Sequence, residues 1–264
     1  MIPEYWQKQV VDTPLYPDIL WSRPENRAAA GKLLIIGGNS HGFAGVGEAY
    51  MAATQAGAGT VRALLPNALQ KIVGGMLEQC EYAPSTPSGS FAREALGECA
   101  LQSNWADGVL LAGDFGRNSE TAILLESFVT KYSGQLTVTK DAADYFINDP
   151  KSIAHRPNTT LVLNLGQLQK FATALHFETP ILLSMGMMLL SQALHTFTKR
   201  YPITIITKEL DTIIVAHGGH MNSTKIVPDT ELWATQAAAK SSVFWMQNPA
   251  RPLEAMTTAF AVSK

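Results

Sequence analysis

The sequence predicts an α/β protein, a three-layer αβα sandwich built on a mostly parallel central sheet. An apolar run that breaks at glycine and resumes as a helix recurs at least four times along the chain. Strands that are apolar almost throughout belong to parallel sheets covered on both faces. Hydrophobic residues make up 46% of the chain and charged residues only 16%, below the usual quarter, as a doubly covered sheet requires. At 264 residues, the chain can bury a substantial core without disulfides or metals.

Residues 1–30 read as a lead-in and 31–264 as a single domain, because no linker divides the remainder. Pro14, Pro17 and Pro24 predict an extended path over 11–31, anchored by Tyr16 and Trp21. The run "KLLIIGG" from Lys32 reads as a buried strand, followed by a helix over Glu48–Ala58 and a second strand in "GAGTVRALLP". "YAPSTPSGS" is expected to form a surface loop, with a helix near Phe91–Gln102. "ADGVLLAGDFGRNSETAILLESFVTKY" and "TTLVLNLGQLQKFATAL" repeat the strand, glycine break and helix; "QLTVTKDAADYF" is a strand with a polar end. A helix over 186–200, a strand in "PITIITKE" and a strand in "LDTIIVAHGG" that enters a glycine hairpin follow. The tail forms helical segments around Pro249 and Pro252.

Charge and composition exclude several functions. The formal charge is −2, from 20 basic and 22 acidic residues, and no basic cluster offers a footprint for a phosphate backbone, so nucleic acid is not an expected partner. No apolar window approaches the roughly 18 residues of a membrane span. The N-terminus lacks the basic head and apolar core of a secretory leader, and a cytoplasmic location is the expectation. Cys80 and Cys99 have no metal spacing and read as thiols. The low charge also fits self-association into a homo-oligomer.

Right-handed crossovers gather the glycine breaks along one edge of the sheet, and the candidate ligand residues lie there. "GGNSHGFAG" offers Gly38 and Asn39, with Gly45 at the start of a helix whose amides can face an anion. It is neither a dinucleotide fingerprint nor a Walker loop. In "AGDFGRNSE", Asp114 lies between Gly113 and Gly116, while Asn118 or Ser119 can cap the next helix. Asp141 and Asp144 stand at a helix start, where capping and dipole effects account for carboxylates better than a metal does. Asn164 and Gln167 are uncharged polar groups at a further strand exit. Lys208 ends a strand and can present its ammonium to phosphate, and Thr235 and Gln236 can bond a ligand near the C-terminal helix. His217 and His220 lack a carboxylate at ligand spacing, so no metal site is expected.

These motifs resemble the ribokinase-like superfamily, and within it the ADP- or ATP-dependent NAD(P)H-hydrate dehydratases, over nearly the whole chain. The stretch "GKLLIIGGNSHGFAGVGEAYMAATQAGAGTVRALLP" is similar to that family's opening strand, "GGS…GA" turn and helix. Asn39 stands at the family's serine and Gly45 at a glycine that substrate approaches. "VLLAGDFGRNSE" resembles "iGPGLGr", with Asp114 in place of proline, and "VTKDAADYF" is similar to "vlDADaLn". Lys208 falls on the lysine of "lKG". The family's "TPHpGE" is replaced by "NLGQLQ" at 164–169. Its "GtGD", which supplies phosphate-binding amides and the catalytic aspartate, aligns with "WATQ" at 233–236, so Trp233, Thr235 and Gln236 replace both glycines and the acid.

The resemblance implies ADP or ATP with Mg2+ as cofactor and a small molecule, such as a nucleotide, as ligand, held by Gly38, Asn39, Gly45, Gly113, Asp114, Gly116 and Asn164, with Lys208, Thr235 and Gln236 toward the nucleotide. No residue is assigned as catalytic. A missing general base removes about 10²–10⁴-fold in rate, and lost anion donors cost a few kcal/mol each. Three readings therefore stand: a divergent dehydratase-like protein with a nucleotide or phosphorylated-metabolite pocket and little activity, a non-catalytic binding or oligomeric relative, and a small-molecule kinase whose base has moved to another carboxylate.

Overall fold

The computed structural model describes residues 2–226 and 233–262. In chain order the elements are β1 (Trp6–Gln9), α1 (Pro17–Trp21), β2 (Lys32–Gly37), α2 (Ala44–Gln55), β3 (Thr60–Pro66), α3 (Gln70–Val73), β4 (Cys80–Ala83), α4 (Leu96–Trp105), β5 (Gly108–Gly113), α5 (Ser119–Lys131), β6 (Gln135–Thr139), α6 (Asp141–Ile147), α7 (Lys151–Ala154), β7 (Thr159–Val162), α8 (Leu165–Ala174), α9 (Met187–Arg200), β8 (Ile203–Glu209), β9 (Thr212–His217), β10 (His220–Lys225), α10 (Trp233–Gln247) and α11 (Pro252–Thr258). Among the described residues the strands form one sheet in the order β1-β10-β9-β8-β7-β6-β5-β2-β3-β4. Strand β9 runs antiparallel to β8 and β10, and the other pairs are parallel.

The apolar strands are explained by burial on both sides. Leu34 and Ile36 of β2 enter a core with Phe128 of α5, Leu168 of α8 and Leu190 of α9. Leu33 and Ile35 enter the opposite core, with Val46 of α2, Ala238 of α10 and Ala255 of α11. Each strand thus supplies alternate side chains to two layers, which is the predicted three-layer sandwich.

The lead-in departs from its predicted path. Pro17 starts the helix α1, since a proline at the first helical positions gives up no intrahelical bond. Ile19 is fully buried, whereas Trp21 is 84% exposed and anchors nothing. Upstream, β1 adds a strand parallel to β10, and the Trp6 Nε1 donates to Ser223 Oγ at 2.8 Å. The strand β4 was not expected, and its last two residues, Tyr82 and Ala83, open the stretch read as a loop. Cys80 and Cys99 are both free thiols. No helix among the described residues is long and apolar enough to cross a membrane.

Helix α10 positions the candidate site. It packs on α2, β5, β6 and β7. The buried residues of α2 and α10 are mainly small (Ala49, Ala52 and Ala53; Ala237, Ala238 and Ala239), which lets the two helices approach closely. Ser242 Oγ donates to Thr137 Oγ1 of β6 at 2.7 Å, and Gln247 Nε2 at the far end reaches the carbonyls of Ala30 and Gly57, ahead of β2 and β3. The helix therefore runs opposite to the parallel strands. Its first turn lies about 10 Å beyond Ser242, overhanging the C-terminal strand ends with the positive end of its dipole toward them.

Candidate functional site

The glycine breaks after β2, β5 and β7, the polar end of β6 and the end of β8 fall on adjacent strands, spanning about 19 Å of sheet edge. At Gly37 the backbones of β2 and β5 lie close: a Cβ there would come within 2.5 Å of the Gly113 carbonyl oxygen. This contact draws two strand exits together, and a hydrogen-bonded cluster grows from it.

Asn39, 8% exposed, donates from Nδ2 to the Asp114 carbonyl at 2.6 Å and accepts the His41 amide on Oδ1 at 2.7 Å. His41 itself is exposed. The Asp114 carboxylate takes the Gly45 amide of α2's first turn on Oδ2 at 2.5 Å and Lys140 Nζ on Oδ1 at 2.7 Å. A side chain at position 45 has no room, because its Cβ would lie 2.9 Å from Asp114 Oδ2 and 3.0 Å from Lys140 Nζ. The α2 N-terminus thus already holds a carboxylate, the charge its exposed amides favour.

Both members of this ion pair have costly backbones. Asp114 has φ 59° and Lys140 φ 54°, ψ −138°, conformations that side chains larger than glycine rarely adopt. Such strain persists only where surrounding contacts over-determine it, and it concentrates at functional sites.

Asp141, next in the chain, accepts the Gly116 amide on Oδ2 at 3.0 Å. Its Oδ1 is shut off from solvent and has no partner in hydrogen-bonding geometry among the described residues. Burial pushes the carboxyl above its ordinary value, and the Asp114 charge adds to the rise against the opposing Gly116 amide. A buried carboxyl perturbed in this way at a strand exit has the character of a functional group. Tyr145 closes this side, donating to the Gly116 carbonyl at 2.6 Å and accepting the Asn118 amide at 3.2 Å. Asn118 caps α5 through the amides of Glu120 and Thr121, as expected of that position.

At the next exit, Asn164 and Gln167 form a capping box on α8. Gln167 Nε2 also donates to the Lys140 carbonyl at 2.8 Å and to Asp144 Oδ1 at 2.9 Å, so Asp141 and Asp144 serve different partners. Lys208 sits near the end of β8 with its ammonium 5.9 Å from the Trp233 ring. Thr235 is fully buried, and its Oγ1 has no partner among the described residues; Gln236 beside it is half-buried. Glu231 lies outside the described residues.

The structure therefore joins Gly38, Asn39, Gly45, Gly113, Asp114, Gly116 and Asp141 in one network, with Asn164 at its margin through Gln167. Lys208, Thr235 and Gln236 lie further along the same edge. Lys140 and Tyr145 were not legible as site residues. Lys140 meets Asp114 across 26 positions, and no local pattern announces such a pairing. Three surface cavities lined by described residues lie elsewhere.

No family model and no curated protein matches the sequence. The fold has solved counterparts. A ribokinase-like superfamily protein from Enterococcus faecalis superposes with a TM-score of 0.71 at 15% identity, covering 98% of this chain and 87% of that one. A hypothetical protein from Streptococcus mutans gives 0.70 at 16%, covering 92% and 86%. An ADP/ATP-dependent NAD(P)H-hydrate dehydratase from Bacillus subtilis, co-crystallised with ATP and Mg2+, gives 0.61 at 11%, covering 93% and 85%. This chain has the ribokinase-like fold.

Proposed function

We infer that the protein holds a nucleotide or another phosphorylated small molecule at the C-terminal edge of its sheet and does not turn it over. The observation that carries this reading is that Asp114 and Asp144, two of the three carboxylates at that edge among the described residues, are already engaged, while the Asp141 Oδ1 is shut off from solvent. Asp114 is committed to Lys140 and the Gly45 amide, Asp144 to Gln167, and the first turn of α10 presents Gln236, which is neutral at every working pH. Binding is supported by the α10 dipole aimed at the edge, by the Lys208 ammonium, and by the ATP and Mg2+ present in a protein of the same fold.

Titration calorimetry with ADP and ATP, each with Mg2+, tests the reading directly. The expected result is saturable binding, weakened by Lys208→Ala, with no nucleotide consumed in the presence of hydrated NADH. Heats no larger than dilution at millimolar nucleotide would remove it.

The perturbed Asp141 carboxyl favours a second reading, a small-molecule kinase whose base has moved to this residue. Its signature is ATP consumption with a hydroxylated substrate that disappears in Asp141→Asn. Background consumption across a panel of such substrates rejects it.

A further inference from the structure

A cavity of about 390 Å³ lies between the lead-in, the β9–β10 hairpin and the start of α11. It is at the opposite edge of the sheet from the Asp114 network. His217 in its wall is bonded through Nδ1 to Thr204 Oγ1 at 2.9 Å, and Thr204 is the second residue of β8, at the strand's N-terminal end.

Carboxylates outnumber fixed cations around the cavity, with Glu4, Glu254 and the neighbouring Asp18 against Arg251. Arg251 is its one arginine or lysine, and this guanidinium already ion-pairs with both Asp18 and Glu254. Glu4 and Glu254 both line the space. Asn222, buried in the floor, spends its Nδ2 protons on Tyr16 Oη at 3.1 Å and Thr257 Oγ1 at 3.0 Å, which leaves its Oδ1 as an acceptor. Burial, with His220 close by, holds His217 below the ordinary histidine value, so the ring is neutral at pH 7 and adds no cation. The rings of Tyr5 and Tyr16 complete the wall. Surplus carboxylate and aromatic rings disfavour an anion and complement a cation. No group of three His, Cys, Asp or Glu able to hold a metal occurs among the described residues, and the Tyr5 and Tyr16 rings suit a cation that carries carbon.

We propose that this cavity is a binding site for a small protonated amine, its ammonium set between Glu4 and Glu254 and its carbon chain against Tyr5 and Tyr16. The site is independent of the nucleotide reading, since it shares no residue with the strand-edge network. Because the lead-in and the C-terminal helix supply opposite walls, an occupied cavity ties the two together and stabilises the folded chain by mass action.

Putrescine is the probe, with 1,4-butanediol as its uncharged counterpart and succinate as its anionic one. Calorimetry and thermal unfolding of the full chain should show saturable putrescine binding, a rise in unfolding temperature, and weakening with salt. Neither counterpart should bind. Glu254→Gln should weaken putrescine by about fivefold, as should Glu4→Gln at an exposed position that leaves folding unaffected. Lys208→Ala, at the other edge, should leave it unchanged. No saturation by 10 mM putrescine, equal binding of butanediol, or undiminished affinity in Glu4→Gln would each overturn the proposal.

Discussion

Lys140 shows how one residue can be held in two costly states at once, a half-buried cation and a backbone conformation suited to glycine. Lys140→Ala and Lys140→Gly both remove the ion pair with Asp114, but only glycine releases the strain. Urea unfolding should therefore find Lys140→Gly more stable than Lys140→Ala by about 1 kcal/mol; equal stabilities would mean that the backbone is not strained. Asp141 makes a pH-dependent case. Its folded value is raised, so the folded chain keeps this proton to higher pH than the unfolded chain does. The group favours folding in acid and opposes it as the pH rises through the folded value. Asp141→Asn should gain about 1 kcal/mol at pH 7, a gain that shrinks toward pH 4, read from urea midpoints at the two pH values. These strained and desolvated groups lie at the sheet edge proposed to hold the ligand, as stability sacrificed for function predicts.

Among the elements, the joint between α5, β6 and β7 depends on one buried arginine. Arg156 donates to the carbonyls of Tyr132 at 2.6 Å, Gly134 at 2.6 Å and Pro157 at 3.2 Å, and to Thr159 Oγ1 at 2.8 Å. Burial lowers its pKa to about 10, and it remains charged at pH 7. Arg156→Met keeps the volume and strands these acceptors, which should cost about 3 kcal/mol in urea unfolding. Lysine, with one compact ammonium, cannot reproduce the fork and should rescue little. Nothing in "AHRPNTT" announces this role, because the Tyr132 and Gly134 acceptors come from a helix end and a strand start that meet Arg156 only after folding. The cap of α5 was legible, since Asn118 and the amides it accepts lie within three residues of one another.

At the scale of the molecule, the sheet's outer strand is supplied by the lead-in. Trp6 is 7% exposed and bonds Ser223 across the β1–β10 pair, closing the end of the sheet beside the proposed amine cavity. Trp6→Ala should cost about 3 kcal/mol, measured by denaturant unfolding, and should lower the temperature at which the chain unfolds. An unchanged midpoint would mean that β1 is only loosely docked.

The sequence by itself determined the layered α/β architecture, because runs of three or four apolar residues that break at glycine and resume as helices recur along the chain, the pattern of strands in a sheet covered on both faces. It also placed the candidate ligand residues on one sheet edge, since crossover handedness follows from chain chirality. Tertiary structure alone decided which charges meet there. Asp114 and Lys140 neutralise each other, and Asp141 is desolvated, through contacts between segments that carry no mark of one another. It likewise decided that the lead-in becomes a strand and a short helix. Local propensity there is weak, and the edge of β10 and the buried pocket for Ile19 supply the free energy that the proline-rich segment lacks alone.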